Sequence, residues 1–304
     1  MKWDVRGKQP KPIGMAIDEA PEGSHIPRVI HQTFKPRPWP DGFERYDQNM
    51  AAIQRMNPGW EHRFYDYDDR RAFIAREYGA DILRRYDAID PAYGAARADL
   101  FRYLLLYKEG GVYLDMKSST ARPLDEVLLP TDRFLLSNWR NERVDHYPGW
   151  GLHRELAHLP FGEFQQWFII SAPGHPFLRA VIQRVLRNLD SYMVSLHGVG
   201  GYAVLRATGP VPYTLAIDPL RDHHACRLVD SVRDLGLVYS IFDTEALVAH
   251  REAPSHYTRL SRPLVQRSFA RSAIDGVLVA GKSAYRRLRG RRRASVAPAE
   301  HGAS

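Results

Sequence analysis

Charged residues that could bind a ligand lie close together in one stretch of this chain of 304 residues. Asp99 and Arg102 stand three residues apart in a segment rich in Leu and Ala, so a helix would place them on one face. Asp115 follows the short apolar run 112–114, which predicts a buried strand with a carboxylate at its carboxyl end. Such a carboxylate can accept hydrogen bonds from hydroxyl groups or hold a divalent cation, and a nearby Arg can stabilise an anionic leaving group. Two plainer interpretations stay open, in which Asp115 opens a turn and Asp99 forms an ordinary helix-face ion pair with Arg102.

The segments around these residues predict strands that alternate with helices. In chain order the predicted elements are a strand over 28–33, a helix over 43–56, a strand over 61–66, a helix from an N-cap at Asp68 to Gly79, a helix over 95–109 and a strand over 112–114. This alternation indicates an α/β fold with a mixed, mostly parallel sheet that is flanked by helices. Ligands of such sheets collect beyond the carboxyl ends of the strands, which makes residues 31–34 and 66–69 candidates beside Asp115.

Composition and cysteine content exclude several protein classes. Hydrophobic residues make up 44% of the chain and charged residues 26%, values typical of a globular protein rather than a collagen-like, coiled-coil or disordered one. Cys226 is the single cysteine, which excludes an internal disulfide framework and fits a reducing compartment. The N-terminal residues lack the apolar segment of a secretory signal, and no run of about 18 apolar residues predicts a membrane span.

The net charge is concentrated near the C-terminus. Lys and Arg total 43 against 35 Asp and Glu, which gives +8, and residues 282–293 alone hold seven cations and no acid. The remainder of the chain is therefore nearly neutral. Residues 274–280 just upstream are apolar apart from Asp275 and Gly276, so we expect an amphipathic segment and a basic tail that rest on an anionic membrane. A solvated, disordered tail is the alternative.

Several motifs together resemble a known family. The run Ala98-Asp99-Leu100-Phe101-Arg102, followed after a helical spacer by Gly110-Gly111-Val112-Tyr113-Leu114-Asp115, resembles the DXD-containing glycosyltransferases of the initiating mannosyltransferase and capsular polysaccharide type, the glycosyltransferase family 32 kind. It is also similar to the glucosylating domains of large clostridial toxins. Supporting resemblances occur at 26–32, 57–61, 171–177 and 208–210, so the similarity covers roughly residues 26 to 260.

The resemblance implies a GT-A fold and retaining transfer of a hexose from a UDP- or GDP-linked sugar. The predicted organisation is a flexible N-terminal arm over 1–25, a GT-A glycosyltransferase domain over 26–262 and an amphipathic and basic C-terminal tail over 263–304. Phe34 stands where the family has an aromatic residue that stacks on the base. The implied donor-binding set is His31, Gln32, Phe34, Asp99, Arg102, Gly111, Tyr113 and Asp115, and the implied catalytic set is Asp115, Arg102 and Lys117.

Lys117 departs from the family pattern because the motif reads Asp-Met-Lys, with no acid at its third position. A charged Lys has three donors and no acceptor, so it cannot coordinate a cation. Two alternatives follow. Asp115 holds Mn²⁺ or Mg²⁺ together with water and His256, or Lys117 itself neutralises the diphosphate as a fixed cation. His250 and His256 stand where the family places C-terminal residues that close over the donor.

We therefore predict a hexosyltransferase of surface or capsular polysaccharide synthesis, with a nucleotide-sugar donor and a glycan or lipid-linked glycan acceptor. Trp139, Trp150 and Trp167 either stack on acceptor sugars or pack in the core. The expected location is cytoplasmic, peripheral at the inner face of the cell membrane. A non-catalytic nucleotide-sugar-binding protein is one alternative. A basic nucleic-acid-binding protein is less favoured, because the charge lies in the tail rather than on the body of the protein.

Overall fold

The computed structural model describes residues 17–39, 43–142, 147–242 and 256–266 of the chain. Its strands are β1 (Val29–Thr33), β2 (Glu61–Tyr65), β3 (Gly111–Leu114), β4 (Ser119–Thr120), β5 (Phe134–Leu136), β6 (Phe168–Ser171), β7 (Arg227–Leu228) and β8 (Leu237–Val238). Its α-helices are α1 (Glu44–Met56), α2 (Tyr67–Asp87), α3 (Gly94–Glu109), α4 (Leu124–Val127), α5 (Pro176–Asp190), α6 (Val194–His197), α7 (Gly200–Ala207) and α8 (Pro210–Ile217).

The main sheet has six strands in the order β2-β1-β3-β6-β5-β7. β1 pairs in parallel with β2 and β3, and β5 pairs in parallel with β7. β6 runs antiparallel to both of its neighbours, β3 and β5. Five strands therefore point one way and β6 points the other, which confirms the predicted α/β class with a mixed, mostly parallel sheet. β4 and β8 form a separate antiparallel pair.

α2 begins two residues earlier than the sequence predicts. Asp66, not Asp68, is its N-cap: the Asp66 side chain accepts from the backbone N–H of Asp68 and Asp69, and the Asp69 side chain accepts from the Asp66 N–H. This reciprocal pair is a capping box, which needs an acceptor side chain three residues after the N-cap. Asp69 supplies that acceptor when Asp66 is the N-cap but not when Asp68 is. Gly79 interrupts the helix with φ 74° rather than ending it, and helical residues continue to Asp87.

α3 lies inside the domain, and this determines the environment of the candidate site. Every residue from Asp99 to Tyr107 is buried, whereas the spacing of Leu100, Tyr103, Leu104 and Tyr107 predicts a single apolar stripe. A helix that is buried all round is a core helix. Asp99 and Arg102, predicted on a second face, are consequently buried as well.

The ordered domain extends past both predicted boundaries. Within the segment expected to be a flexible arm, Ile17 is 6% exposed, the Ala20 N–H donates to the Tyr107 hydroxyl at 2.9 Å, and that hydroxyl donates to the Asp18 carbonyl at 2.9 Å. At the other end Leu264 is fully buried. The expectation of a loose arm is therefore wrong for residues 17–25. Residues 1–16 and the predicted basic tail from 267 onward lie outside the described residues.

In the portion of the chain that the structure describes, no helix has the length and apolar character needed to cross a membrane.

Candidate active site

Asp115 is held at the carboxyl end of β3 by the strands on both sides. Its backbone N–H donates to the Trp167 carbonyl at 2.8 Å, and its carbonyl accepts from the Gln32 side-chain amide at 3.3 Å. The side chain is 27% exposed. Asp115 therefore has a fixed backbone and a carboxylate that solvent can reach, as a ligand-binding residue at a strand end requires.

Arg102 bridges the two acids of the site from α3. Its Nη2 lies 3.0 Å from Asp115 Oδ1 and 3.3 Å from Asp99 Oδ1, and its guanidinium carbon lies 4.5 Å from the centre of the Tyr113 ring. Burial by itself would lower the pKa of Arg102, but electrostatic interactions with Asp115, Tyr113 and Asp99 raise the pKa above its usual value. With 4% of its side chain exposed, Arg102 is a buried, permanent cation that orients the Asp115 carboxylate.

Asp99 completes this network behind Arg102. Its Oδ2 accepts from the Thr208 hydroxyl at 2.8 Å and its Oδ1 accepts from the Gln166 amide at 3.2 Å. Burial raises the pKa of Asp99, and Arg102, Thr208 and Gln166 oppose that rise. The sequence marks Thr208 within a family-like segment but assigns it no role, and it gives no signal at all for Gln166.

Lys117 follows Asp115 in a turn that is fastened to residues 239–241. Its Nζ donates to the Tyr239 hydroxyl at 2.7 Å and lies 3.9 Å from the centre of that ring. The Lys117 carbonyl accepts from the Ile241 N–H at 2.8 Å, and the Ser118 hydroxyl donates to the Tyr239 carbonyl at 2.8 Å. Sequence reasoning missed Tyr239, which fixes the direction of the Lys117 side chain.

Phe34 lies in an aromatic cluster after β1. Its ring centre lies 5.1 Å from that of Tyr46, 5.5 Å from Trp39 and 5.8 Å from Phe43. Burial raises the pKa of Tyr46, with a further contribution from the negative charge of Asp115, so this cluster is within electrostatic range of the site. Trp39 and Phe43 line a surface cavity together with Arg37 and Asp47. The base-stacking role of Phe34 stays a prediction, and Trp39 is a second ring in a position to serve it.

Three residues of the predicted donor-binding set belong to the interior of the sheet instead. His31 is fully buried, with Nε2 3.0 Å from the Gly110 carbonyl and Nδ1 3.1 Å from the Tyr65 hydroxyl. Gln32 is also fully buried and bonds to His62 and to the Asp115 carbonyl. A Cβ on Gly111 would lie 2.6 Å from the Val29 carbonyl, so this Gly permits β1 and β3 to pair. We therefore correct all three assignments, since these residues support Asp115 rather than face a ligand.

The side chains predicted to hold a metal do not form a cation site among the described residues. His256 Nδ1 lies 2.8 Å from the Thr258 hydroxyl and caps a short 3₁₀ helix, while Asp115 Oδ1 contacts Arg102 and Tyr113. Within the described ranges no group of three or more His, Cys, Asp or Glu side chains could hold a metal ion. Among the described residues the one partly exposed carboxylate of the site, that of Asp115, is already paired with Arg102, and this donor set does not fit a divalent cation. His250 lies outside the described residues.

The three tryptophans of interest gather near Lys117 around one tyrosine. Ring centres of Trp139, Trp150 and Trp167 lie 5.0, 5.8 and 5.5 Å from that of Tyr239. Trp139 and Trp167 are 7% and 5% exposed, which identifies them as core residues, whereas Trp150 is half-buried. Trp150 is therefore the member of this group that is best placed to meet a ligand.

Residues 44–135 match the family described as the glycosyltransferase sugar-binding region containing the DXD motif. That range spans α1 to β5 and contains Asp99, Arg102, Asp115 and Lys117.

Two of the similar curated proteins are named mannosyltransferases. Inositol phosphoceramide mannosyltransferase 3 of Schizosaccharomyces pombe is 30% identical over 190 residues, which is 62% of this chain and 44% of that protein. The initiation-specific alpha-1,6-mannosyltransferase of the same yeast is 28% identical over 250 residues, covering 74% of this chain and 56% of that protein. The chain thus spans about half the length of these relatives.

Two of the solved structures that are similar to this chain are glycosyltransferases. The PaToxG glycosyltransferase is 13% identical with a TM-score of 0.43, covering 82% of this chain and 83% of that one. The UDP-bound glycosyltransferase domain of the YGT toxin is 10% identical with a TM-score of 0.44, covering 73% and 82%. The match over residues 44–135, which contain the helix and the strand end of the site, makes this part of the chain similar to the DXD-containing glycosyltransferase family.

Proposed function

We propose that this protein is a retaining glycosyltransferase that moves a hexose from a UDP- or GDP-linked sugar to a hydroxyl of a glycan or glycolipid. The observation that carries the proposal is Asp115, a partly exposed carboxylate at the carboxyl end of β3, held by buried Arg102 within the family-matched region. The names of the relatives favour mannose as the sugar and a glycan or an inositol phosphoceramide as the acceptor.

The proposed chemistry is a substitution at the anomeric carbon. The bond from that carbon to the diphosphate oxygen breaks, a bond to the acceptor hydroxyl oxygen forms on the same face, and the hydroxyl proton passes to the leaving diphosphate. Asp115 accepts hydrogen bonds from the donor sugar, and the cations at the site stabilise the negative charge that develops on the diphosphate. The protein thus contributes mainly by positioning and electrostatics.

A transfer assay tests this proposal. The full chain is incubated with GDP-mannose, UDP-glucose or UDP-galactose and a mixture of mannosides, and release of nucleoside diphosphate is compared with formation of glycoside. We expect Asp115→Ala to lower transfer by at least about 100-fold, because it removes a polar group that faces the reacting sugar. Asp81→Ala is the matched control, since Asp81 is 67% exposed on α2 and paired with Arg84.

Asp115→Ala with the wild-type rate of transfer would contradict the site assignment. Donor binding with neither transfer nor hydrolysis would favour the non-catalytic nucleotide-sugar-binding protein, for which the loss of the second acid at Lys117 is the motivating observation.

We also infer a peripheral location on an anionic membrane, where lipid-linked acceptors are found. The inference is supported by the seven cations of 282–293 and the apolar segment before them. Deleting residues 270–304 should release the protein from vesicles containing phosphatidylserine and leave nucleotide binding unchanged. Unchanged sedimentation with the vesicles would contradict it.

A further inference from the structure

The site carries a cation where the family motif carries an acid. Lys117 is two residues beyond Asp115, and its Nζ is fixed by the Tyr239 hydroxyl at 2.7 Å. The ammonium has three N–H donors and no acceptor, so it cannot bind a metal, but the N–H groups that Tyr239 does not use can bind a phosphate oxygen. The change from acid to Lys therefore reverses the chemistry of the third motif position from holding a cation to being one.

The support beneath Lys117 is rigid. The preceding strand is central in the main sheet, and the turn that carries Lys117 continues into β4, which pairs with β8. The Asn49 side chain also donates to the Ser118 carbonyl at 2.8 Å from α1. A cation on such a support needs little reordering to meet an anionic ligand, so less of the binding free energy is lost to side-chain entropy.

The carboxylate of Asp115 is correspondingly less suited to a metal. Its Oδ1 lies 3.0 Å from the permanent charge of Arg102, and within the described ranges no set of three ligand side chains assembles. A divalent ion beside Asp115 would meet the positive charge of Arg102, which already pairs with that carboxylate.

We propose that Lys117 supplies the positive charge for the donor diphosphate that a divalent cation supplies in relatives with two acids, so that nucleotide binding here needs no added metal. The proposal rests on the proposed function, since it concerns the diphosphate of the same donor. Tyr239 is a positioning residue, because its hydroxyl accepts a hydrogen bond from the Lys117 ammonium.

The test measures GDP and UDP binding to the full chain by isothermal titration calorimetry, once in EDTA and once with Mn²⁺. For the wild-type protein we expect the dissociation constants in the two conditions to agree within about threefold, because the fixed ammonium takes the place of the ion. Binding that occurs only with Mn²⁺ would overturn the inference and leave the proposed function standing. Failure to bind either nucleotide in both conditions would overturn the two together.

Two substitutions separate charge from structure. Lys117→Asp restores the acid at the third position, and we expect it to weaken binding in EDTA by at least about tenfold and to regain affinity when Mn²⁺ is added. Lys117→Met removes the charge but keeps most of the length of the side chain, and it should weaken binding in both conditions. Lys108→Met, which removes a 39% exposed cation on α3, is the control and should bind as the wild type does.

Tyr239→Phe tests the positioning role because it keeps the ring and removes the hydroxyl that holds Nζ. We expect a threefold to tenfold weaker affinity in EDTA with an unchanged melting temperature. Equal affinity of the wild type and Lys117→Met in EDTA, with both proteins folded by circular dichroism, would overturn the proposal.

Discussion

Two groups of residues meet at β3, and they differ in what surrounds them. His31, Gln32 and Gly111 lie inside the sheet, where His31 bonds on both ring nitrogens to neighbouring protein groups. Asp115 and Lys117 lie beyond the end of the strand, and the Asp115 side chain keeps 27% of its surface exposed. Residues of the first group can affect a ligand only through the strand that they hold, whereas residues of the second can touch it.

Substitutions in the two groups should therefore have different effects. The buried polar side chains beside the sheet, His31 and Gln32, are hydrogen-bonded to protein partners, so their substitution should change the free energy of unfolding. A residue at the strand end has spare hydrogen-bonding capacity, so its substitution should change binding. Arg102 belongs to both groups, because it is buried and yet contacts Asp115.

The largest effect is expected for Arg102→Met. It leaves two carboxylates, Asp99 and Asp115, without their shared cation, and breaking a buried ion pair from one side costs about 3–5 kcal/mol. Urea denaturation should show this loss in the free energy of unfolding, and nucleotide binding should weaken because Asp115 is no longer oriented. A loss of less than about 1 kcal/mol in the free energy of unfolding would show that Arg102 acts on ligand binding, as Asp115 and Lys117 do, and not on stability.

Gly111→Ala should come next, with a loss of about 2–3 kcal/mol. Gly111 has φ 100°, and a Cβ there would lie 2.6 Å from the Val29 carbonyl. Because the residue faces β1 and not the ligand, the folded fraction should bind nucleotide with nearly the wild-type affinity. Chemical denaturation and calorimetry on the same sample check both statements. If Gly111→Ala left the free energy of unfolding unchanged but abolished nucleotide binding, Gly111 would be a ligand-binding residue after all.

His31 predicts a pH dependence of stability. Burial lowers the pKa of His31 to about 3, opposed by its hydrogen bond to Gly110, while an unfolded His titrates near 6.5. Between these values the unfolded chain binds more protons, so this contribution is full above about pH 6.5 and is lost as the pH falls toward 3.

Replacing His31 with Gln should therefore reduce the slope of unfolding free energy against pH by about 1.4 kcal/mol per unit between pH 6 and 4. His175, whose pKa is lowered to about 4 mainly by burial, still titrates in both proteins, so the difference between the slopes isolates His31. Identical slopes would show that the His31 ring is not buried as a neutral group.

The smallest effect is expected for Arg84→Ala on the outer surface of α2. Arg84 pairs with Asp81, and both side chains are about two-thirds exposed, at 68% and 67%. Exposed pairs of this kind contribute about 0.5 kcal/mol or less. Thermal melting should thus be almost unchanged in the variant, and a drop comparable to that of Arg102→Met would remove the distinction between buried and exposed charge.

Much of the local structure follows from the sequence. The stop at Asn57-Pro58-Gly59, the Gly pair after α3 and the apolar run that becomes β3 are all short-range signals, and the structure confirms them. The N-cap of α2 was misassigned because Asp66, Asp68 and Asp69 are alike in type, and only the geometry of the capping box distinguishes them.

Only part of the candidate site can be predicted from the sequence, because its residues differ in how far apart they lie along the chain. Asp99 and Arg102 are i, i+3 neighbours, and Asp115 follows a strand, so a local pattern locates all three. Gln166, Thr208 and Tyr239 reach the site from 50 to more than 100 residues away in the chain, and no local spacing relates them to it. The position of His31 near a strand end predicts a ligand-binding role, but its side chain is buried and bonded to other protein groups.

The sequence by itself determined the order of strands and helices as far as β3, the acid at the end of β3, the cation at the third motif position and the separation of a neutral body from a basic tail. Only the tertiary structure decided which polar residues are enclosed and which face solvent. The reason is physical: periodicity and residue type are properties of neighbouring residues, whereas burial and hydrogen-bond partners depend on elements that meet only after folding. Arg102 illustrates the difference, since its spacing indicates a surface ion pair and its surroundings make it the buried cation that holds Asp115 in place.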